Sequence, residues 1–434
     1  MSWLVVAGFV IFFVGLLASI ALHEIGHLVP AKFFGVKVTQ YMVGFGPTMW
    51  SRRRGETEYG VKWIPLGGYI RMIGPLPPRP NDDGKLRSMS TGPWQGLIES
   101  ARQASLEEVR PGDDDRVLYR KPWWQRVVIF VGGPAMNFLL AFALFAGVLM
   151  GFGIAVTKPV VASVSQCVMT VAEQTKGQKC TPSHPATPAA QAKLRVNDKI
   201  VSFGGKPVGS WEDATTLIRS HGAGPVAIGI VRDGRPMTLH TTLIAQDRPS
   251  VDDPTKLDKN VGFLGVLPTS VVEKQSPGFV VVYMWDLTKR AAQSIAMFPQ
   301  RLVGVWQASF GGAERDLNSP MSVVGAGRIG GEIAASAVPV ENKIVGLLML
   351  LAGVNLAIGM FNLVPLLPLD GGHIAGALWE GLKRGFARVR RRPMPGHVDI
   401  AKALPLTYAM AVILLVMGTL LIYADIVNPI RLSG

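Results

Sequence analysis

The sequence predicts a polytopic α-helical membrane protein with four transmembrane helices and one soluble α+β module between the second and third. Three observations carry that expectation. Apolar residues make up 48% of the 434 positions but concentrate in four blocks, 3–22, 127–151, 344–367 and 406–427, each long enough for the roughly 20-residue helix that crosses a bilayer. Basic residues cluster at alternate ends of those blocks. The segment 158–268, by contrast, alternates strand-like runs with glycine turns and one amphipathic helix around 211–220, a pattern of soluble domains.

The first block has no basic n-region, no small-residue cleavage site and too long an apolar run for a signal peptide, so it is expected to be a retained span. Lys32, Lys37 and Arg52–Arg53–Arg54 follow it, and Arg120, Lys121 and Arg126 precede the second block. Lys383, Arg384, Arg388 and Arg390–Arg391–Arg392 lie between the third and fourth. Near the membrane, 158–343 is sparser, with Lys158 at one end and Arg328 and Lys343 at the other. The positive-inside rule therefore puts both basic loops in the cytoplasm, and 158–343 and both termini outside. The net charge of +14 is thus accounted for by topology, and no nucleic-acid partner is expected. Cys167 and Cys180 both fall in the segment assigned to the outside, where an oxidising compartment permits a disulfide between them.

Twenty-two residues without a charge end in "HEIGH", residues 23–27. On a helix His23 and His27 stand one turn apart and project from one face, which suits two nitrogen ligands of one zinc ion. Glu24, beside the first of them, can take a proton from a water held at the ion and act as general base. A helix-end turn at the interface would explain such residues blandly, but ionisable groups at membrane depth are functional suspects by default. Catalytic zinc keeps three protein ligands and an open position, so a third must come from elsewhere. The stretch "LAGVNLAIGMFNLVPLLPLDGGHIA", 351–375, offers Asp370 in a proline- and glycine-broken helix end, with His373 equally plausible on chemistry alone.

HEIGH in the first span together with "NLVPLLPLDGG" in the third resembles the site-2 protease family of intramembrane zinc metalloproteases, of the bacterial regulator-of-sigma-factor type. The resemblance implies one zinc per chain held by His23, His27 and Asp370, with Glu24 as catalytic base, and it favours Asp370 over His373. It also implies that Asn362 holds the substrate backbone, which a carboxamide can do because it both donates and accepts. "GFG" at 44–46 and "IPLGGYIRM" at 64–72 resemble the family's membrane-associated β-hairpin. "KPWWQRVVIFVGGPAMNF", 121–138, resembles its second-span signature, including Gly133, Pro134 and Asn137, and "LNSPMSVVGAG", 317–327, the stretch before its third span. Familiar bacterial members carry two PDZ domains; "RVNDKIVSFGGKPV", 195–208, marks only one here.

The full expectation is a four-span helical membrane protein with a membrane-associated β-hairpin segment and an extracytoplasmic PDZ-like α+β domain. Its parts run as 1–35, the first span with HEIGH; 36–74, the β segment; 75–120, a flexible cytoplasmic loop; and 121–152, the second span. Then come 156–268, the PDZ-like domain; 269–343, an amphipathic helical region on the outer surface; 344–372, the third span with the LDG motif; 373–405, a basic cytoplasmic loop; and 406–428, the fourth span. A fifth span in 279–315 is rejected, because Asp286, Lys289, Arg290 and Arg301 make it expensive. By family analogy the substrate is a single-span protein already cut by another protease, such as an anti-sigma factor, in the plasma membrane of a bacterium. The alternative from another class is an inactive membrane scaffold that binds partners through the PDZ-like module.

Overall fold

In the computed structural model, which describes residues 3–77, 93–170, 173, 177–251, 257–312, 315–316 and 319–430, the first apolar block becomes one 31-residue helix, α1 (Trp3–Phe33). At 1.5 Å per residue it is about 46 Å long, so HEIGH lies within the helix, and His23, Glu24 and His27 are buried. The chain then forms a hairpin of β1 (Val38–Arg54) and β2 (Thr57–Met72). Met42 faces Tyr69 on one side and Gly60 on the other, and Gly60 also faces Ser51, so both strands bend and the first half of β1 runs between the two halves of β2. Gly44 in β1 and Gly67 in β2, both at φ +92°, supply left-handed backbone that such bends need.

Residues 78–92 of the expected cytoplasmic loop lie outside the described residues. The rest of 75–120 is not a loop: it holds α2 (Pro93–Glu107) and two short 3-10 turns. Arg102 of α2 is buried, donating to the Pro77 carbonyl and pairing with Asp399 at 3.0 Å. The polar composition hid this helix, because its anchor is a charged side chain and not an apolar stripe. Helix α3 (Trp123–Ala146) continues into a π-helical turn, Gly147–Phe152.

Residues 152–275 form a unit of their own. Strand β3 (Ile154–Val164) leads to a short helix α4 (Pro188–Gln191), strands β4 (Lys199–Phe203) and β5 (Lys206–Pro207), and helix α5 (Trp211–His221). Strands β6 (Gly224–Arg232), β7 (Arg235–Pro249), β8 (Leu257–Phe263) and β9 (Val266–Glu273) complete an antiparallel sheet in the order β8-β7-β6-β4-β3-β9. Ile200, Phe203, Ile228, Ile230 and Leu243 are core residues, joined by Ala214 and Ile218 from α5. Ser210 and Asp213 form a capping box at the start of α5. The expected bounds 156–268 cut this PDZ-like domain short: β3 begins at Ile154, and β9 pairs with it along Ile154–Val164. Cys167 and Cys180 are joined to each other.

The membrane unit, residues 1–151 and 276–434, resumes with α6 (Pro277–Ala296), α7 (Phe298–Phe310) and α8 (Val323–Ala335). The expected surface region 269–343 is corrected here. Its last helix is packed within the membrane unit, and a Cβ on Gly8 of α1 would lie 2.5 Å from both the Gly330 carbonyl oxygen and the Ala334 Cβ. Small residues let two membrane helices approach this closely, and Gly325, Gly327, Gly330 and Gly331 are all buried.

Helix α9 (Val340–Asn362) is the third span, and α10 (Asp370–Val389) follows a turn. Two expectations change together. The span expected over 344–372 ends at Asn362, since Pro365 and Pro368 lack the N–H that a helix interior needs. The expected basic loop 373–405 begins as a helix, with Asp370 in its first turn, where a negative charge suits the helix dipole. The last helix among the described residues is α11 (Leu404–Val427). Among the described residues, four helical segments have the length and hydropathy to cross a membrane: Trp3–Phe33, Trp123–Phe152, Val340–Asn362 and Ile400–Val427.

Candidate metal centre

Three donors meet where α1, α9 and α10 converge. His23 Nε2 and His27 Nε2 are each 3.3 Å from Asp370 Oδ2 and 3.2 Å from one another. A tetrahedral ion with bonds of about 2.0–2.1 Å spaces its ligands by roughly 3.3 Å. The three edges therefore already have the size that a zinc ion demands. Among the described residues this is the one cluster of three or more such donors.

The residues come together for local reasons. The i, i+4 spacing puts both imidazoles on one face of α1, and their rings meet edge to face with centroids 4.8 Å apart. The proline-interrupted turn after α9 brings Asp370 to them as α10 begins. His373, the rival ligand on chemistry alone, is one turn further along α10 and stacks flat on Phe130, with centroids 4.6 Å apart. It lines the cavity and stands outside the three-donor cluster.

Helix α3 orients the two histidines. His27 Nδ1 is 2.8 Å from the Ile129 carbonyl oxygen; only a protonated Nδ1 can satisfy that acceptor, which leaves Nε2 free as a ligand. His23 Nδ1 is 3.1 Å from the Asn137 carboxamide, which is buried. Gly133 lies beneath both rings: a Cβ there would overlap His27 Nε2 and stand 2.7 Å from His23 Cε1. Gly26 of α1 and Gly132 of α3 touch through their backbones, the close crossing that brings α3 under the site. Asn355 of α9 donates to Ser19 of α1 at 3.0 Å, tying a third helix to the ligand helix.

These supporting residues are what sequence reasoning missed. Asn137 and Gly133 were visible as part of "GGPAMNF", 132–138, but without a role. The Ile129 carbonyl carries no side-chain signal at all.

A cavity of about 550 Å³ opens at the donors. Glu24 and Asn362 both line it, as do Gly67, Gly68, Tyr69 and Ile70 of β2. A Cβ on Gly68 would come within 2.9 Å of Glu24 Cγ, so β2 lies directly against the glutamate. The second half of β2 pairs with β1 on one side, through Val43–Gly68 and Met42–Tyr69. Its place at the margin of the folded hairpin makes it an edge strand beside the donors.

The family model for peptidase family M50 matches residues 11–404. The chain belongs to peptidase family M50. Among its relatives is the zinc metalloprotease Rip1 of Mycobacterium tuberculosis (strain ATCC 25618 / H37Rv), 34% identical over 440 residues that cover 98% of this chain and 99% of that protein. Rip1 of Mycolicibacterium smegmatis is 33% identical over 98% of each chain. The metalloprotease MmpA of Caulobacter vibrioides is 29% identical over 91% of each. Membership of this M50 family agrees with the donor set: two imidazoles and a carboxylate are a known catalytic zinc ligand type, with a fourth position left for water or substrate.

Proposed function

We propose that His23, His27 and Asp370 hold one zinc ion, that Glu24 is the general base, and that Asn362 and the edge of β2 hold the substrate as an extended strand. The enzyme is an intramembrane zinc metalloprotease of regulated intramembrane proteolysis, a multi-pass membrane protein that acts on membrane proteins. The observation that carries the residue assignments is the 3.2–3.3 Å triangle of donors, with Glu24 on the same cavity wall.

A transmembrane helix satisfies its own carbonyls, so none is open to attack until the helix unwinds locally. An unwound segment has lost those hydrogen bonds, and the edge of β2 offers replacements by strand addition. Asn362, at the end of α9, can donate to a substrate carbonyl and accept from an N–H. These contacts hold a peptide bond across the donors. The bound ion supplies Lewis acidity, bringing the pKa of water to about 7 and polarising a substrate carbonyl. Glu24 takes a proton from the attacking water and returns it to the leaving amine. Asn137 and the Ile129 carbonyl keep both rings in the orientation that this requires; were His23 to hold the ion through Nε2, its Nδ1 would carry the proton, and the Asn137 amide would turn its oxygen to it in place of the Nδ2 that lies there.

The substrate is a single-span membrane protein already cut outside the membrane by another protease, of the kind represented by anti-sigma factors. The basic segments put the catalytic side toward the cytoplasm of a bacterial cell, with the PDZ-like domain outside. There the domain inspects approaching chains.

The test is Glu24→Gln in detergent-purified full-length protein. It is expected to keep one zinc per chain and to lose at least about 10²–10⁴-fold of cleavage of a single-span substrate. Cleavage at the wild-type rate would remove Glu24 from the base role. Zinc without cleavage by either protein would favour the scaffold reading.

A further inference from the structure

We propose that α10 is an interfacial helix whose exposed apolar stripe seats in a membrane surface of anionic phospholipid. The stripe consists of Leu378, Trp379, Leu382, Phe386 and Val389, which are 43%, 54%, 66%, 54% and 83% exposed. Their spacing places all five within an arc of about 100° on a helix.

The orientation of the stripe is set by the opposite face. Ala377, Glu380 and Ala387 are buried. The Glu380 carboxylate pairs with Arg126 of α3, with Arg384 at 2.9 Å and with His397 at 3.3 Å. Gly381 lies against the Trp123 ring, where a Cβ would be 2.7 Å from Cδ2. Turning the stripe inward would break a buried ion-pair network, so the apolar face stays outward. The helix is no fifth span: it is absent from the segments apolar enough to cross, and it carries Glu380, Lys383, Arg384 and Arg388 in its second half.

Charge identifies the occupant. Lys383 sits over the Trp379 ring at 5.4 Å and Arg390 over the Phe386 ring at 4.2 Å, so two cations border the stripe, with Arg388, Arg391 and Arg392 close by in sequence. Glu380 is the sole acid between residues 371 and 392, and it is already paired. A second copy of this face would bring like charges together. An anionic bilayer surface instead receives aromatic and aliphatic side chains below its phosphates and basic ones among them. The helix begins where the span α9 has just ended, which places it at that depth.

The experiment uses the full-length chain. Because Cys167 and Cys180 are joined to each other, Leu382→Cys introduces one free thiol for a bimane label. The labelled protein is reconstituted into brominated vesicles of phosphatidylcholine alone or mixed with phosphatidylglycerol. The expected result is loss of emission to the bromolipid, deeper in the phosphatidylglycerol mixture. That difference should vanish in Lys383→Glu/Arg390→Glu and, without any further substitution, at high salt. Quenching by aqueous iodide and not by lipid would overturn the proposal. So would equal lipid quenching in both mixtures, or protection from both quenchers with the chain running as a dimer.

Discussion

The buried carboxylate of the PDZ-like unit and the polar groups buried at the cavity of the membrane unit serve opposite purposes. In the PDZ-like unit the fully buried carboxylate, Asp198, is spent on structure: it accepts from Arg232 at 2.7 Å and from the Arg195 N–H at 2.8 Å. Around it the core is apolar. In the membrane unit His23, Glu24, His27 and Asn137 are buried along the wall of one cavity; the Ile129 carbonyl and Asn137 contact the two Nδ1 atoms, and both Nε2 atoms turn to Asp370. The difference teaches how to separate a structural polar group from a working one. The first has its partners satisfied within its own fold; the second has partners on one side and a donor atom left over on the other.

Substitutions should split along the same line. The largest effect is expected from Gly133→Val, because any Cβ there overlaps His27 Nε2. Zinc should be lost and cleavage with it, while thermal unfolding of the PDZ-like unit stays unchanged. Zinc retention by this variant, read by metal analysis after chelator challenge, would break the claim that α3 supports the ligands.

A smaller effect, confined to stability, is expected from Asp198→Asn. Burial alone would raise the Asp198 carboxyl, but hydrogen bonds from Arg232 and the Arg195 N–H reverse that and hold it below its usual range. Removing one partner of a buried pair costs about 3–5 kcal/mol; Arg232 is partly exposed, which brings the expectation toward the lower end. The sign in pH follows from the lowered folded value. The contribution is complete above the unfolded pKa of about 3.9 and is lost as pH falls through the folded one. Denaturant titration of wild type and variant at neutral and acid pH should show the two curves converging below about pH 4. Curves that stay equally separated would contradict the assignment.

The smallest effect is expected from Ser210→Ala, which removes the cap of α5 and should cost about 1 kcal/mol of the PDZ-like unit's stability. Cleavage of a bare transmembrane substrate should not change.

The candidate site was legible in the sequence where its signal was local. HEIGH carries its geometry in a one-turn spacing, and Asp370 stands out as an acid after a long neutral run. The support was not legible, because Ile129 and Asn137 reach the histidines across 102 and 114 residues. One of those contacts is a backbone carbonyl, which any residue supplies. The four spans were legible by length and hydropathy. Helix α10 was lost because its basic residues were read as a loop, although Leu378, Leu382, Phe386 and Val389 keep a helical period. The packing of α8 was lost for the converse reason: its buried face is glycine, which leaves no apolar periodicity to detect. The PDZ-like domain was legible in its interior but not at its ends, where β3 and β9 pair across more than a hundred intervening residues.

The most direct test of the central claim is the zinc content of purified full-length protein after chelator challenge, compared among wild type, Asp370→Ala and His373→Ala. The donor triangle requires one zinc in wild type and in His373→Ala, and its loss from Asp370→Ala. Zinc held by Asp370→Ala and lost from His373→Ala would contradict the account, and would move the third ligand one turn along α10.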